Sequence, residues 1–386
     1  MDQRTIQILI ALLRSAIRGT ELTPSERESY SESMLQDLLK ISAKYDIIHL
    51  LVFGLKQNKL ISKDNAEIEK YILKAVYRYE RLRYEYENLC DTLEKAKIPF
   101  LPLKGSVIRE YYPEAWMRTS CDIDILVHDE DVELAKEIMV DELKYTYQGK
   151  SSHDISLFSP TNIHIELHYD LVEDGRVNAS SHILKDVWNA SRVRAGFSYW
   201  YEMQDEMFYF YHIAHMAKHF ENGGCGIRPF IDLCLLDDLT NADIVKRNAL
   251  LEIGNLLKFA DVARNLSQVW FSCKEYDLLS HQMEDYILRG GVYGNYENRV
   301  AVQQQIKGGK IKYALSKIVI PYNTIKFLYP ILQKHRWLTP FMQVRRWFKL
   351  IFCGHAKRSM RELSYNSNIS RSQADEMKIF LDEIGL

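Results

Sequence analysis

Apolar residues recur at helical spacing through the first part of the chain. Gln3 to Arg18 is amphipathic, and Thr23-Pro24-Ser25-Glu26 combines the spacing of a capping box with proline at the first helical position. Asn65 to Lys97 is long and charged, with Glu and Arg spaced to pair along an exposed side. We therefore predict a helical N-terminal module over residues 1–96, to which we assign no chemistry.

The pattern changes from helical to extended at residue 97. Ile98 to Leu103 is too rich in proline for a helix and predicts a short strand that ends at Lys104-Gly105-Ser106, followed by a helix over Val107–Tyr112. Asp122 to Val127 predicts a second strand, with Asp122 and Asp124 on the same face. The next predicted elements are a helix over Glu130–Leu143 and a hairpin formed by Asp154–Phe158 and Ile163–Tyr169.

These patterns favour an α+β fold, in which a small mixed β-sheet core lies between helical N-terminal and C-terminal regions. We place the core at residues 97–195. Residues 196–298, which include a helical run from Glu202 to Phe220, are predicted to form a helical domain that closes a cleft. Residues 299–386 are predicted to form a separate helical region, rich in basic and aromatic residues.

Composition is that of a folded protein with more than one packed unit. The chain has 386 residues, of which 47% are hydrophobic and 26% are charged. Six cysteines are scattered without a C-x-x-C pair, and the N-terminus does not have the pattern of a signal peptide. We expect a cytoplasmic protein, with peripheral association at the inner membrane face as a further possibility.

Charge is distributed unevenly along the chain. Residues 300–361 contain thirteen Lys or Arg and no Asp or Glu, interleaved with aromatic residues, although the whole chain has a net charge of −2. Nucleic acid and an anionic membrane surface are both candidate partners for such a segment. A third interpretation is a helical region whose charges complement an acidic body. The sequence leaves these three open.

Candidate chemistry centres on Asp122 and Asp124. Two carboxylates on one strand face repel each other, so a divalent cation between them is a common solution. Glu166 lies on a later strand and is a candidate third carboxylate. Gly105-Ser106 stands at a strand-to-helix junction, where a phosphate can approach the backbone, and Lys104 and Arg118 are candidate phosphate ligands.

This combination resembles the polymerase-β-like nucleotidyltransferase superfamily. Within it, the chain is similar to a bacterial family of uncharacterised nucleotidyltransferases with a Leu-Lys-Gly motif. The matching residues are Leu103-Lys104-Gly105, Tyr112-Pro113, Arg118, Asp122-Ile123-Asp124-Ile125-Leu126-Val127 and Ile165-Glu166-Leu167-His168, followed downstream by His215, His219, Gly226-Ile227-Arg228 and Asp232.

The resemblance implies transfer of a nucleoside monophosphate from an NTP to a hydroxyl-bearing acceptor, which is a small molecule, a protein or an RNA. It implies Mg²⁺ or Mn²⁺ as cofactor, ATP binding, and Asp122, Asp124 and Glu166 as metal ligands and catalytic residues. Lys104, Gly105, Ser106, Arg118, His215 and Arg228 are the expected nucleotide-binding residues. The alternative is a catalytically silent binding protein with this fold, for example a peripheral membrane factor in envelope polysaccharide metabolism.

Several residues allow other interpretations. The Asp-x-Asp pair can be a solvated strand face, and His164, Glu166 and His168 share a face that would suit a zinc site. His212, His215 and His219 follow one helical stripe, where packing in the core competes with a role in the cleft. Arg228 and Asp232 have the spacing of a structural salt bridge, with phosphate contact by Arg228 as the alternative.

Overall fold

The computed structural model describes residues 2–62, 66–172, 178–239, 241–292, 294–352 and 365–386. The predicted N-terminal helices are present. Asp2 caps the first helix, and Thr23 and Glu26 form the predicted capping box at the second. The helices in this part of the chain are α1 (Gln3–Arg18), α2 (Pro24–Ser29), α3 (Leu35–Lys44), α4 (Ile48–Gln57) and α5 (Ala66–Lys95).

A mixed five-stranded sheet follows, in the spatial order β1-β2-β5-β4-β3. Only the β2–β5 pair is parallel among the pairings of this sheet; β1 with β2, β5 with β4, and β4 with β3 are antiparallel. The strands are β1 (Phe100–Pro102), β2 (Asp122–Val127), β3 (Thr146–Lys150), β4 (Asp154–Phe158) and β5 (His164–His168). The α+β fold class with a small mixed sheet and helical flanks is therefore confirmed.

Two short helices and one longer helix connect the strands. The predicted helix over Val107–Tyr112 was placed too late, because α6 (Gly105–Ile108) begins at the glycine and continues as a 3-10 turn, Arg109–Tyr111. The others are α7 (Val132–Asp141) and α8 (Ala179–Lys185), and a separate hairpin is formed by β6 (Ser191–Val193) and β7 (Tyr201–Met203). The helical run predicted from Glu202 therefore starts as a strand.

The second half of the described chain is helical. Its helices are α9 (Asp205–Glu221), α10 (Arg228–Asp237), α11 (Ile244–Ile253), α12 (Leu257–Phe271), α13 (Leu278–Arg289), α14 (Tyr296–Lys307), α15 (Lys310–Ile318), α16 (Tyr322–Leu328), α17 (Ile331–Lys334), α18 (Thr339–Phe352) and α19 (Arg371–Ile384). Across the residues described, no helix combines the length and the low polarity that crossing a membrane requires.

Two hydrophobic cores lie on opposite sides of the sheet. One packs Ile123, Ile125 and Val127 of β2 against apolar residues of α5 and α7. The other joins the N-terminal helices to α9, α10, α12 and α13, and it includes Leu126 from the opposite face of β2. The polar residues of β2 and β5 therefore face the helical half of the protein. The division into four domains at residues 96, 195 and 298 stays a prediction.

Candidate active site

The parallel pairing of β2 with β5 brings the predicted carboxylates together. In the register of this pair, Asp124 lies opposite Glu166, and Asp122 lies opposite His164. Alternate residues of a strand point to the same face, so these side chains leave the sheet on one side while the isoleucines enter the core on the other. Asp124 is 2% exposed, whereas the Glu166 side chain is 26% exposed and reaches solvent.

Lys104 provides the positive charge beside these carboxylates. Its Nζ donates to Asp124 Oδ1 at 2.6 Å and lies 3.8 Å from Glu166 Oε2. Burial alone would lower the pKa of Lys104, but the negative charges of Asp124 and Glu166 outweigh it and raise this pKa well above its ordinary value. The Lys104 backbone has φ of 47°, an unusual conformation for a residue with a side chain, just before α6 begins.

His168 is a further residue of the same cluster. Its Nε2 lies 3.0 Å from Asp124 Oδ1 and 3.4 Å from Glu166 Oε2. Burial would raise the pKa of Asp124, but Lys104 and His168 together hold it well below its usual range. In the part of the chain that the structure describes, His168 Nδ1 is buried without a hydrogen-bond partner. His168 therefore orients Asp124 and keeps one ring nitrogen uncommitted.

The cluster has the donor set of a divalent-cation site. Asp124, Glu166 and His168 each offer a ligand atom, and these atoms lie within 4.8 Å of one another. Asp122 lies outside this group but lines the same pocket, where burial and the charge of Asp124 raise its pKa. Carboxylate oxygens suit Mg²⁺ and Mn²⁺, and a cation would relieve the repulsion between these side chains. The residues therefore fit a divalent cation.

A pocket of about 550 Å³ opens in front of the carboxylates. Gly105 lines it next to Lys104, whereas Ser106 is buried and is not among the lining residues. An added Cβ at Gly105 would lie 3.3 Å from Ser120 Cβ, so the glycine permits a tight approach of the two segments. The role of Gly105-Ser106 in holding phosphates through the backbone stays a prediction.

Arg118 lines the pocket and is held by a buried carboxylate. Its Nε and Nη2 donate to the two oxygens of Asp232 at 2.8 Å each, and Tyr112 Oη donates to the same group at 2.6 Å. The Asp232 charge raises the pKa of Arg118 against the opposing effect of burial. This bidentate pair fixes the guanidinium between the sheet and α10.

Arg228 also lines the pocket, but the predicted pairing with Asp232 is wrong. Asp46, from the turn before α4, accepts from Arg228 Nη2 at 2.7 Å and lies 3.3 Å from Arg78 Nη1. Burial, and then the charge of Arg118, lower the pKa of Arg228. Asp232 already pairs with Arg118. Arg228 and Asp232 therefore each pair with a residue distant in sequence and not with each other.

The three histidines of α9 have different environments. His212 Nε2 lies 3.0 Å from the Pro229 carbonyl oxygen, which ties α9 to α10. His215 and His219 also line the pocket, with ring centroids 4.5 Å apart. Burial lowers the pKa of His215 well below its usual value, and His219 and Lys104 act in the same direction. These surroundings therefore favour the neutral form of the His215 imidazole.

The zinc site considered for His164, Glu166 and His168 does not form as such. His164 Nε2 lies 2.7 Å from Ser156 Oγ on β4, and His164 is not in the ligand group found among the described residues. Asp124 takes its place. Because two of the three ligands are carboxylates, the donor set is richer in oxygen than the predicted histidine site.

A smaller pocket of about 250 Å³ adjoins the larger one. It shares Lys104, Glu166, Tyr211 and His215 with the larger pocket, so the two meet at these side chains. His168 lines only the smaller of the two. Glu166 therefore lines both pockets.

A family model for uncharacterised nucleotidyltransferases matches residues 31–272, more than half of the chain. The chain belongs to this family. A search of the curated proteins and a search of the solved structures each found no match. Membership in the uncharacterised nucleotidyltransferase family supports nucleotidyl transfer as the general function, and the matched region contains both the carboxylates and the helices that line the pocket.

Four site residues of this family member escaped the sequence reasoning. Asp46 and Arg78 come from the predicted N-terminal module, to which no chemistry was assigned, and both line the pocket. Arg109 donates to the Gly105 carbonyl oxygen at 2.7 Å and so stabilises the first residue of α6. Tyr211 lies one residue before the histidine stripe that drew attention. Nothing in their local sequence distinguishes them from packing residues.

Proposed function

We propose that this chain transfers a nucleoside monophosphate from an NTP to a hydroxyl-bearing acceptor, with Mg²⁺ or Mn²⁺ as cofactor. One observation carries the proposal: Asp124 and Glu166 lie opposite each other on adjacent parallel strands, at a pocket that also presents Lys104, Arg118 and Arg228. Three cationic side chains beside paired carboxylates are what a metal-bound triphosphate requires.

The larger pocket is the proposed donor side. Its volume of about 550 Å³ is within the range of small-ligand sites, and its cationic residues favour a polyanion. Lys104 Nζ donates a hydrogen bond to Asp124 in this structure. Nucleotide binding is expected to draw this Nζ toward a phosphate oxygen, which would leave Asp124 and Glu166 free to hold a divalent cation. Asp232 holds the guanidinium of Arg118, and Asp46 holds that of Arg228. Both guanidinium groups are therefore fixed in position to bind phosphate oxygens.

The smaller pocket is the proposed acceptor side. Glu166 lines both pockets, which supports a role for it in accepting the proton of the acceptor hydroxyl. The hydroxyl oxygen then forms a bond to the α-phosphorus, the bond from this phosphorus to the bridging oxygen breaks, and pyrophosphate leaves. When bound, the cation neutralises the phosphate charge that develops in this step. His168 keeps Asp124 in position throughout.

The test is incubation of the protein with each α-labelled NTP and Mg²⁺ or Mn²⁺, in the presence of separated protein, RNA and small-molecule fractions of a lysate. We expect label in one fraction, and its loss in Asp124→Asn with Glu166→Gln. Asp129→Asn with Glu130→Gln is the matched control, because these acids follow β2 directly and are exposed. NTP binding without transfer to any fraction would identify the catalytically silent alternative.

A further inference from the structure

The basic segment, residues 300–361, differs in charge from the rest of the protein. It has thirteen Lys or Arg and no Asp or Glu, while the whole chain has a net charge of −2, so the remainder is acidic. The structure describes this segment as far as residue 352, over helices α14 to α18. A local excess of positive charge attracts an anionic partner.

Helix α15 turns an apolar stripe outward. Ile311, Leu315 and Ile318 are spaced four and three residues apart, so they lie on one side of the helix. They are 78%, 54% and 45% exposed. The opposite side packs through Tyr313, which is buried against α14 and the start of α19. The exposed stripe is therefore not needed for the fold of this helix.

Helix α18 also has an exposed apolar stripe. Phe341, Val344 and Phe348 are spaced three and four residues apart, and all three are exposed. Trp337, in the turn before the helix, is 69% exposed. Trp347 Nε1 donates to the Ile318 carbonyl oxygen at 2.7 Å, so α18 is held against the end of α15. The two apolar stripes therefore belong to neighbouring helices.

Exposed large apolar side chains are concentrated in the basic segment. Of the 24 large apolar side chains that are exposed in the described chain, ten lie within residues 311–348. Clustered exposed apolar residues mark interaction surfaces more often than scattered ones. Lys312, Lys334 and Lys349 are exposed among them. Together these residues make up what we call the basic apolar surface.

We propose that the basic apolar surface docks on an anionic lipid membrane. Apolar side chains of amphipathic helices enter the boundary between headgroups and acyl chains, while Lys and Arg bind the anionic headgroups. Trp337 has the amphipathic ring that is enriched at this boundary. The association is peripheral, since it needs only the side chains of this surface.

Nucleic acid is also anionic, but it suits the basic apolar surface less well than a membrane does. Seven of the ten exposed apolar residues are aliphatic and have no ring on which a base can stack. Several aromatic rings of the segment already lie beneath cations of the same segment: Tyr313 under Lys317, Tyr322 under Arg336 and Tyr329 under Arg345. A second copy of the same surface is also disfavoured, because two faces of equal positive charge repel each other.

The test is flotation of the full-length protein with vesicles of phosphatidylcholine alone or mixed equally with phosphatidylglycerol. We expect binding only to the mixed vesicles and a decrease with added salt. Replacing Lys312, Lys334 and Lys349 with Gln is expected to weaken binding about 100-fold, since each cation near an anionic surface contributes about fivefold.

The apolar part is tested with Ile311→Ser, Phe341→Ser and Phe348→Ser combined, for which we expect at least about tenfold weaker binding. The matched control is Ile244→Ser, Val245→Ser and Leu278→Ser, three apolar residues with similar exposure on α11 and α13. Equal binding by these two variants, or equal binding to both kinds of vesicle, would overturn the proposal. So would retention of a single-stranded RNA in a gel shift without vesicle binding, or self-association that buries the surface.

Discussion

Asp232 is predicted to be one of the most sensitive positions outside the metal cluster. It is 1% exposed and accepts three strong hydrogen bonds, two from Arg118 and one from Tyr112. Asp232→Asn keeps the size of the side chain but removes its charge. The Arg118 guanidinium, which is also buried, then loses its counter-ion, while Arg109 and Arg228 lie close enough to disfavour its charge.

The expected loss in the free energy of unfolding follows from the burial of the Arg118–Asp232 ion pair. Removing one partner of a buried ion pair costs about 3–5 kcal/mol, mostly because a desolvated charge is left uncompensated. We expect Asp232→Asn to lower the free energy of unfolding by about 3 kcal/mol or more. The assay is urea denaturation followed by circular dichroism, in which the midpoint moves at unchanged slope.

Asp238→Asn is the matched control. Asp238 follows α10 directly, and its side chain is 51% exposed while it pairs with Arg18. Exposed pairs contribute at most about 1 kcal/mol, so this variant is expected to resemble the unmodified protein. If Asp232→Asn costs no more than Asp238→Asn, the account of Arg118 as a buried, carboxylate-held guanidinium is refuted.

Three further predictions concern other positions. Burial lowers the pKa of His49 from 6.5 to about 4, so we expect the free energy of unfolding to fall by about 3 kcal/mol as the pH decreases from about 6.5 to about 4, and His49→Gln to flatten this dependence. The added Cβ of Gly54→Ala would lie 2.3 Å from the Leu12 carbonyl oxygen, so this variant should lose more than about 2 kcal/mol in urea denaturation; Gly149→Ala meets nothing within 4 Å and should stay within about 1 kcal/mol. Lys104→Met should bind Mn²⁺ at least about tenfold more tightly by calorimetry without nucleotide, because its ammonium no longer competes for the carboxylates, and unchanged affinity would contradict this.

Local patterns predicted the parts of the site that lie on single strands. The alternation in Asp122–Val127 and Ile163–Tyr169 placed Asp124 and Glu166 on polar faces, and the observed strands agree. The alternation of apolar and polar residues is enough to predict these faces, because one face of each strand has to pack in a core. The capping-box signal at Thr23 is equally local, and the second helix begins directly after this residue.

Local sequence patterns could not predict contacts between segments that are distant in the chain. Arg118 pairs with a residue 114 positions away, and Arg228 pairs with Asp46, 182 positions away. Helical spacing predicted instead a local pair between Arg228 and Asp232, which is wrong because each side chain meets a stronger partner from another element. Ser106 illustrates a different limit: its neighbour Gly105 faces the pocket, but the turn directs the serine into the interior.

The central claim of the proposed function is that Asp124 and Glu166 hold a divalent cation for a bound NTP. The most direct measurement is Mn²⁺ binding, followed by electron paramagnetic resonance, with and without an ATP analogue whose α,β-bridge is methylene. The account predicts that the analogue tightens Mn²⁺ binding in the unmodified protein and that Asp124→Asn with Glu166→Gln abolishes this effect. Undiminished, analogue-dependent Mn²⁺ binding by the double variant would contradict it.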